Sequence, residues 1–181
     1  MHLCCSNCGM APLQEMLIQG HDVTCLWFNP NVHPYTEYRS RLESVERLGR
    51  LWSFGLETID DYGLEGFLRK ALGHDGPRCE VCYGIRMEKT AETARRMGLD
   101  GFTTSLLASP YQKFDMIQTA GKEAAQRHDI MFLGADFRRY WHASRPLVRE
   151  LGLYRQQYCG CIFSEKERYL SERNRKSKTC L

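Results

Sequence analysis

The sequence predicts an α/β fold of three layers, a parallel sheet with helices on both faces, extended by a cysteine-bearing segment at its C-terminal end. Short β-like apolar runs alternate with segments of helical period along the chain. Such alternation is how a parallel sheet built from crossover units reads in sequence. The 181 residues suffice for one domain with a sizeable core and fall short of the usual length for two. A hydrophobic fraction of 43% and a charged fraction of 26% are ordinary globular values, which argues against a disordered chain. Residues 1–170 are therefore read as a single α/β domain and 171–181 as a basic, flexible tail.

Only three residues precede Cys4, so the first strand, ending in Leu3-Cys4-Cys5, is expected to be very short. Ala11 to Gln19 reads as a helix closed by Gly20. Val23 to Phe28 is a continuous apolar run, hence a buried strand, and Asn29-Pro30-Asn31 turns the chain. From Tyr35 to Phe54, apolar residues recur every three or four positions (Tyr38, Leu42, Val45, Leu48, Trp52). They predict a long helix with a core-facing stripe, stopped by Gly55. Leu56 to Ile59 is a short strand and Leu64 to Leu72 a short helix, after which Gly73-His74-Asp75-Gly76-Pro77 leads to Cys79. The next helix is entered at Cys82 and runs to Met97, before Gly98. A strand at Phe102 to Leu106, a helix at Asp115 to Arg127 and a strand at Ile130 to Leu133 follow. Helices at Tyr140 to Leu151 and Glu165 to Leu170 complete the pattern.

Seven of the nine cysteines fall into three tight groups: Cys4, Cys5 and Cys8; Cys79 and Cys82; Cys159 and Cys161. Only a fold can bring groups so far apart in sequence together. Structural zinc is closed by four ligands, so seven thiolates point instead to an iron–sulfur cluster with thiolates to spare for a second metal or redox work. In open α/β sheets ligands bind beyond the carboxyl ends of the strands, where Cys4 and Cys5 stand. The segment there has neither G-x-G-x-x-G nor a P-loop lysine, so ATP use is not expected and a metal takes the phosphate's place. Cys5-x-x-Cys8 and Cys79-x-x-Cys82 supply four thiolates at helix starts and are taken as the cofactor-binding set. Cys4, Cys159 and Cys161 are then left to serve a second iron or the redox step. The alternative, that Cys159 or Cys161 is itself a cluster ligand, stays open, as do a folded zinc knot and a thiol–disulfide oxidoreductase. Gly160 permits the turn that aims both of its neighbours inward. Cys25, within an apolar run, is expected to be plain core, and Cys180 free and incidental.

Four basic residues against one acid between Ser171 and Leu181 account for the whole formal net charge of +3, so a polyanion must meet a local patch of the body. No run approaches the roughly 18 apolar residues of a membrane span, and the amino terminus lacks the regions of a signal peptide. A cytoplasmic location is expected, where nine cysteines favour metal or redox chemistry over disulfides. His2 lies near the first cysteines and either lines the site or is hydrogen-bonded within the fold, while His33, His74 and His142 read as structural. Asp136-Phe137-Arg138-Arg139 follows a strand on the same rim. Asp136 there either acts in catalysis by orienting a polar ligand or caps the next helix.

These motifs resemble the cobalamin-independent, iron–sulfur epoxyqueuosine reductases over nearly the whole chain. The resemblance rests on His2-Leu3-Cys4-Cys5, Asn29-Pro30-Asn31-Val32-His33-Pro34-Tyr35-Thr36-Glu37-Tyr38, Arg78-Cys79-Glu80-Val81-Cys82, Thr104-Ser105-Leu106-Leu107-Ala108-Ser109-Pro110, Asp136-Phe137-Arg138, and Leu153 through Cys161. It implies reduction of epoxyqueuosine to queuosine at the wobble position of a transfer RNA, the last step in making that base. It also implies a 4Fe–4S cluster, an adjacent mononuclear iron, an external low-potential electron donor, and a fold similar to the adenine-nucleotide hydrolases. The expected partners are transfer RNA carrying epoxyqueuosine and an electron-donor protein, with no membrane. For such a substrate, phosphates are met by basic side chains and bases by aromatic faces. Arg39, Arg41, Arg138, Arg139 and Arg155, with Tyr35 and Tyr158, are the candidates on the rim. Two other functions compete. A transfer-RNA sulfur-transfer enzyme would carry an S-G-G-x-D-S loop, which is absent, and a non-enzymatic zinc or iron–sulfur module would need no arginine rim.

Overall fold

The apolar run after Val23 is hydrogen-bonded as a strand only at its middle. The structure, a computed structural model, describes residues 1–178, without the side chains of Arg145 and residues 171–178. Strand β1 (Cys25–Trp27) pairs in parallel with β2 (Leu56–Thr58), Cys25 opposite Leu56 and Trp27 opposite Thr58. Strand β3 (Gly101–Phe102) pairs in parallel with β4 (Met131–Phe132). The amino-terminal segment joins the two pairs, since His2 bridges in parallel to Leu26 on one side and to Thr104 on the other. Its backbone is hydrogen-bonded both ways, through Leu3 N to Leu26 O and His2 N to Thr103 O. The α/β class therefore holds, but the sheets are two-stranded pairs tied by single-residue bridges.

The strand expected at Phe102 to Leu106 stops early because Thr104 caps a 3-10 turn at Ser105–Ala108, its hydroxyl accepting from Leu106 N. A local side-chain bond thus competes with the sheet ladder and wins.

Among the described residues, seven helices surround this centre: α1 (Ser6–Ile18), α2 (Tyr35–Trp52), α3 (Leu64–Leu72), α4 (Arg78–Arg96), α5 (Phe114–His128), α6 (Ser144–Glu150) and α7 (Ile162–Lys178). Helices α1 and α4 begin well before the points the sequence suggests. Helix α1 starts at Ser6 rather than Ala11, because extended Cys5 serves as its N-cap and accepts the Cys8 N–H on sulfur. Helix α4 starts at Arg78 rather than Cys82. Pro77 stands at its N-cap, and the helix begins directly behind it. Helix α6 is shorter than the span Tyr140 to Leu151, since Arg138–Tyr140 form a separate 3-10 turn. Helix α7 is longer than Glu165 to Leu170, and Cys180 lies outside the described residues.

Tyr38, Leu42, Val45 and Leu48 are buried as their spacing predicts, with Trp52 half-buried. Burying such a leucine or valine stabilises the fold by about 1.5–3 kcal/mol. Cys25 is fully buried in this same core, where burial pushes its thiol up to about 11. A second core packs α4 against α5 and takes in Cys4, Cys5 and Cys8 at its edge. A third small cluster holds Phe67, Ala71, Cys82 and Cys161 together. Cys4, Cys5, Cys8, Cys82 and Cys161 are thus walled by apolar cores, whereas Cys159 is exposed. Among the described residues no helix is long and apolar enough to cross a membrane.

Candidate metal centre

Where the ladder around His2 ends, the chain places three sulfurs together. Cys4, Cys5 and Cys8 are buried, and their Sγ atoms all lie within 4.8 Å of one another. Cys4 and Cys5 are only 3.8 Å apart. Cys4 is fixed by Ser105, whose hydroxyl accepts from Cys4 N at 3.0 Å and donates to Cys4 Sγ at 3.3 Å. Gln156 Nε2 donates to Cys5 Sγ at 3.0 Å and Cys8 Sγ at 3.5 Å. Bonds from the Cys5 and Cys8 thiols hold Cys4 well below the usual cysteine range. Burial pushes Cys5 up, and its neighbours' sulfurs push Cys8 up. One negative charge is easy here and three are not, unless a cation joins them, which is what a metal supplies.

The other four clustered cysteines, Cys79, Cys82, Cys159 and Cys161, form no such close group of three among the described residues. The early start of α4 puts Cys79 in its first turn and Cys82 three residues on, so both face one side. Cys82 and Cys161 share an apolar cluster. Burial pushes Cys79 up, and the charges of Cys159 and Cys161 add to it. Burial pushes Cys82 up to about 12, opposed by Arg86, with Cys159 and Cys161 again among the charges it meets. Gln112 Nε2 donates to Cys159 Sγ at 3.1 Å.

The Cys159-Gly160-Cys161 loop is held from below. Arg41 donates from Nη1 to the Cys159 carbonyl and from Nη2 to the Tyr158 carbonyl, each at 2.9 Å, and its charge is met by Glu37 at 2.6 Å. Tyr154 donates its hydroxyl to the other Glu37 oxygen. His33 N donates to the Gly160 carbonyl at 2.8 Å, and Tyr158 OH to the His33 carbonyl at 2.7 Å. Gly160 has φ +140, and a Cβ there would stand 3.1 Å from Arg41 Nη1 and 3.2 Å from Val32 Cγ2.

A cavity of about 510 Å³ opens over the sulfurs, lined by Cys4, Cys8, Cys159, Gln112, Gln156 and Arg155 among others. Asn7 Oδ1 and Gln156 Oε1 are buried without a partner among the described residues, and both residues line it. Orphaned buried acceptors in a native fold call for an explanation, and a bound group is one. With this thiol-rich donor set, the site fits a thiolate-held metal group.

The predicted rim is only partly assembled. Arg155 and Tyr158 line the cavity. Arg41 does too, but it is 1% exposed and committed to Glu37 and the loop, so it lies beneath the site rather than on a rim. Arg39 pairs with Asp60 and Glu43, and Tyr35 packs against Tyr62, both away from the cavity. Asp136 is exposed and closes on Arg138, whose bonds hold its carboxyl below the usual range. Arg138 stacks over Phe114 and Arg139 over Tyr140. None of Asp136, Arg138 and Arg139 lines the cavity, because two-residue local pairing is shorter than the reach to the sulfurs.

His2 is fully buried and hydrogen-bonded to Thr104 at 2.8 Å and Asn29 at 3.2 Å. Burial, then the Arg86 charge, lowers its pKa to about 3, so it is a neutral strut. Spacing alone gave no role to Arg86, Gln112 or Glu37. The one available signal was Arg86 four residues after Cys82, one helical turn away on the same face.

Fold and site together define an α/β protein with a buried cluster of three cysteines, able to hold a metal, at the end of its parallel ladder. A profile of the epoxyqueuosine reductase QueH family matches residues 1–167. Proteins named epoxyqueuosine reductase QueH from Dehalococcoides mccartyi and Thermotoga maritima are 35% and 34% identical to this chain. Those alignments cover 93% of this chain each, and 93% and 90% of the relatives. A longer Helicobacter pylori protein of the same name is 36% identical over 92% of this chain and 49% of its own length. The chain belongs to the epoxyqueuosine reductase QueH family, a family of oxidoreductases.

Proposed function

We propose that this protein reduces epoxyqueuosine to queuosine at the wobble position of transfer RNA, using an iron–sulfur cluster and an adjacent iron held by its seven clustered cysteines. The observation that carries this is the set of three buried sulfurs within 4.8 Å, opening onto a cavity whose wall includes a further cysteine. Family membership supplies the substrate class.

Converting the epoxide to an alkene takes two electrons and two protons and releases the oxygen as water. A bound iron–sulfur group supplies the electrons and a Lewis-acidic position for that oxygen. We assign Cys4, Cys5 and Cys8 to one centre, since geometry groups Cys4 with them, and Cys79, Cys82, Cys159 and Cys161 to its neighbour. The cavity wall includes Cys4 and Cys8 of the first set and Cys159 of the second, so both sets would face the substrate. Gln156, whose side-chain carbonyl has no partner among the described residues, and Gln157 offer amides to the edges of the modified base, and Tyr111 and Trp141 offer ring faces. Arg155 on the wall, and Arg149 in an adjoining groove that Arg155 also lines, face the phosphates. The electron donor is an external low-potential protein. We read the ladder through His2 as the centre of a three-layer sheet similar to the adenine-nucleotide hydrolases, and the setting as cytoplasmic.

The experiment is turnover with transfer RNA carrying epoxyqueuosine, using anaerobically prepared protein and a low-potential reductant without ATP or cobalamin. Mass spectrometry of the digested RNA should show loss of one oxygen. A protein that is colourless, free of acid-labile sulfide and inactive under these conditions refutes the proposal.

A further inference from the structure

Arg86 is 2% exposed, inside α4. Its Nη2 donates to Cys82 Sγ at 2.9 Å and its Nε to the Cys82 carbonyl at 3.0 Å, one helical turn back. The guanidinium stands 5.6 Å from the centre of the Tyr83 ring. Among the described residues no carboxylate pairs with it, and the charges it meets first are those of Cys82, Cys159 and Cys4. Arg41, the other arginine buried this deeply among the described residues, has Glu37 as its partner. A guanidinium keeps its proton at any working pH, and a buried charge is tolerated only beside opposite charge. Sulfur is what Arg86 has.

We propose that Arg86 is the counter-charge of the sulfur centre: the fold buries one fixed cation against Cys82 so that its thiolate, with a metal group bound, is balanced, and so that the group's reduction potential is raised. It is a positioning residue acting through Cys82. The first half needs only a thiolate-held metal, and the second rests on the iron–sulfur reading above. Each added electron makes the centre more negative, and a nearby fixed cation stabilises that state. An N–H bond to a ligand sulfur acts in the same direction, since hydrogen bonds to sulfur are among the factors that set these potentials. The electron comes from the chemical reductant of the titration, and no bond is made or broken.

Arg86→Met keeps the length of the stem and removes the charge, whereas Arg86→Lys keeps the charge. Each is melted with its metal group bound and again after anaerobic chelation, beside the unsubstituted protein. Arg86→Met should lower the melting temperature of the loaded protein by more than it lowers that of the stripped one. Arg86→Lys should preserve the original order. In an anaerobic redox titration followed by visible absorbance, the loaded Arg86→Met protein should have a more negative midpoint and Arg86→Lys a nearly unchanged one.

Equal losses of melting temperature in both forms, or a variant that folds in neither, overturn the counter-charge. An unchanged midpoint in an Arg86→Met protein with full iron and sulfide overturns the effect on potential. If the unsubstituted protein holds no acid-labile sulfide, the iron–sulfur reading fails and takes the potential with it. The melting comparison, run on zinc-loaded protein, then still decides the counter-charge.

Discussion

At the scale of single residues, two buried arginines do different work. Arg41 and Glu37 form an ion pair at 1% and 7% exposure, and Arg41 carries the Tyr158 and Cys159 carbonyls on its remaining donors. Removing one member of a buried pair strands the other charge and costs about 3–5 kcal/mol. Glu37→Gln should therefore destabilise the protein by about 3 kcal/mol in chemical denaturation. By contrast, breaking the exposed Arg39–Glu43 pair should cost under about 1 kcal/mol. The cysteines divide in the same way. Cys82→Ala and Cys5→Ala should each remove iron and visible colour from anaerobically prepared protein, since a missing thiolate leaves a metal without its ligand. Cys25→Ala should keep the colour, because that thiol lies in the β1 and α2 core.

At the scale of elements, the site is made by where helices start. Had α1 begun at Ala11, Cys5 and Cys8 would have sat in a loop. Capping by Cys5 brings the first helical turn back to Ser6 and draws Cys8 over Cys4. The C-terminal loop turns at Gly160 and runs straight into α7, whose Glu165 N donates to the Cys161 carbonyl. The φ of +140 at Gly160 suits glycine, and a side chain there meets Arg41 and Val32. Gly160→Ala should cost about 1–3 kcal/mol, on the scale of a strained backbone residue. It should also lower turnover by more than the drop in stability explains, because Cys159 and Cys161 are displaced together. A Gly160→Ala protein with full activity would show that the loop's geometry does not matter to the reaction.

At the scale of the molecule, several surface arginines are already paired with acids. Arg78 meets Glu167, Arg96 meets Glu57, Arg127 meets Glu88 and Arg138 meets Asp136. The cavity and its adjoining groove share Arg155, and the groove adds Arg149 and His142 with no acid among its lining residues. A polyanion seated there should show salt-dependent binding. Arg149→Ala with Arg155→Ala should reduce the slope of log affinity against log salt by roughly 0.7 for each phosphate that is no longer neutralised. Transfer-RNA binding measured over a salt series checks this, and an unchanged slope would place the RNA on another face.

The sequence by itself determined the α/β class, the long α2 helix and the set of seven cysteines, because periodicity and residue type are local properties that survive any packing. It also marked Cys25 as core, since an unbroken apolar run leaves a thiol no other place. Tertiary structure decided what sits beside what. Cys4 joins Cys5 and Cys8 because a sulfur caps α1, and the ladder is broken because Thr104 bonds locally. Asp136 is turned away because Arg138, two residues on, reaches it first. Arg86 and Gln156 come to the sulfurs from a helix interior and from a loop far along the chain, and Glu37 holds Arg41 beneath them. Spacing fixes which groups are neighbours along the backbone, whereas the balance of a buried charge depends on every chain segment that closes around it.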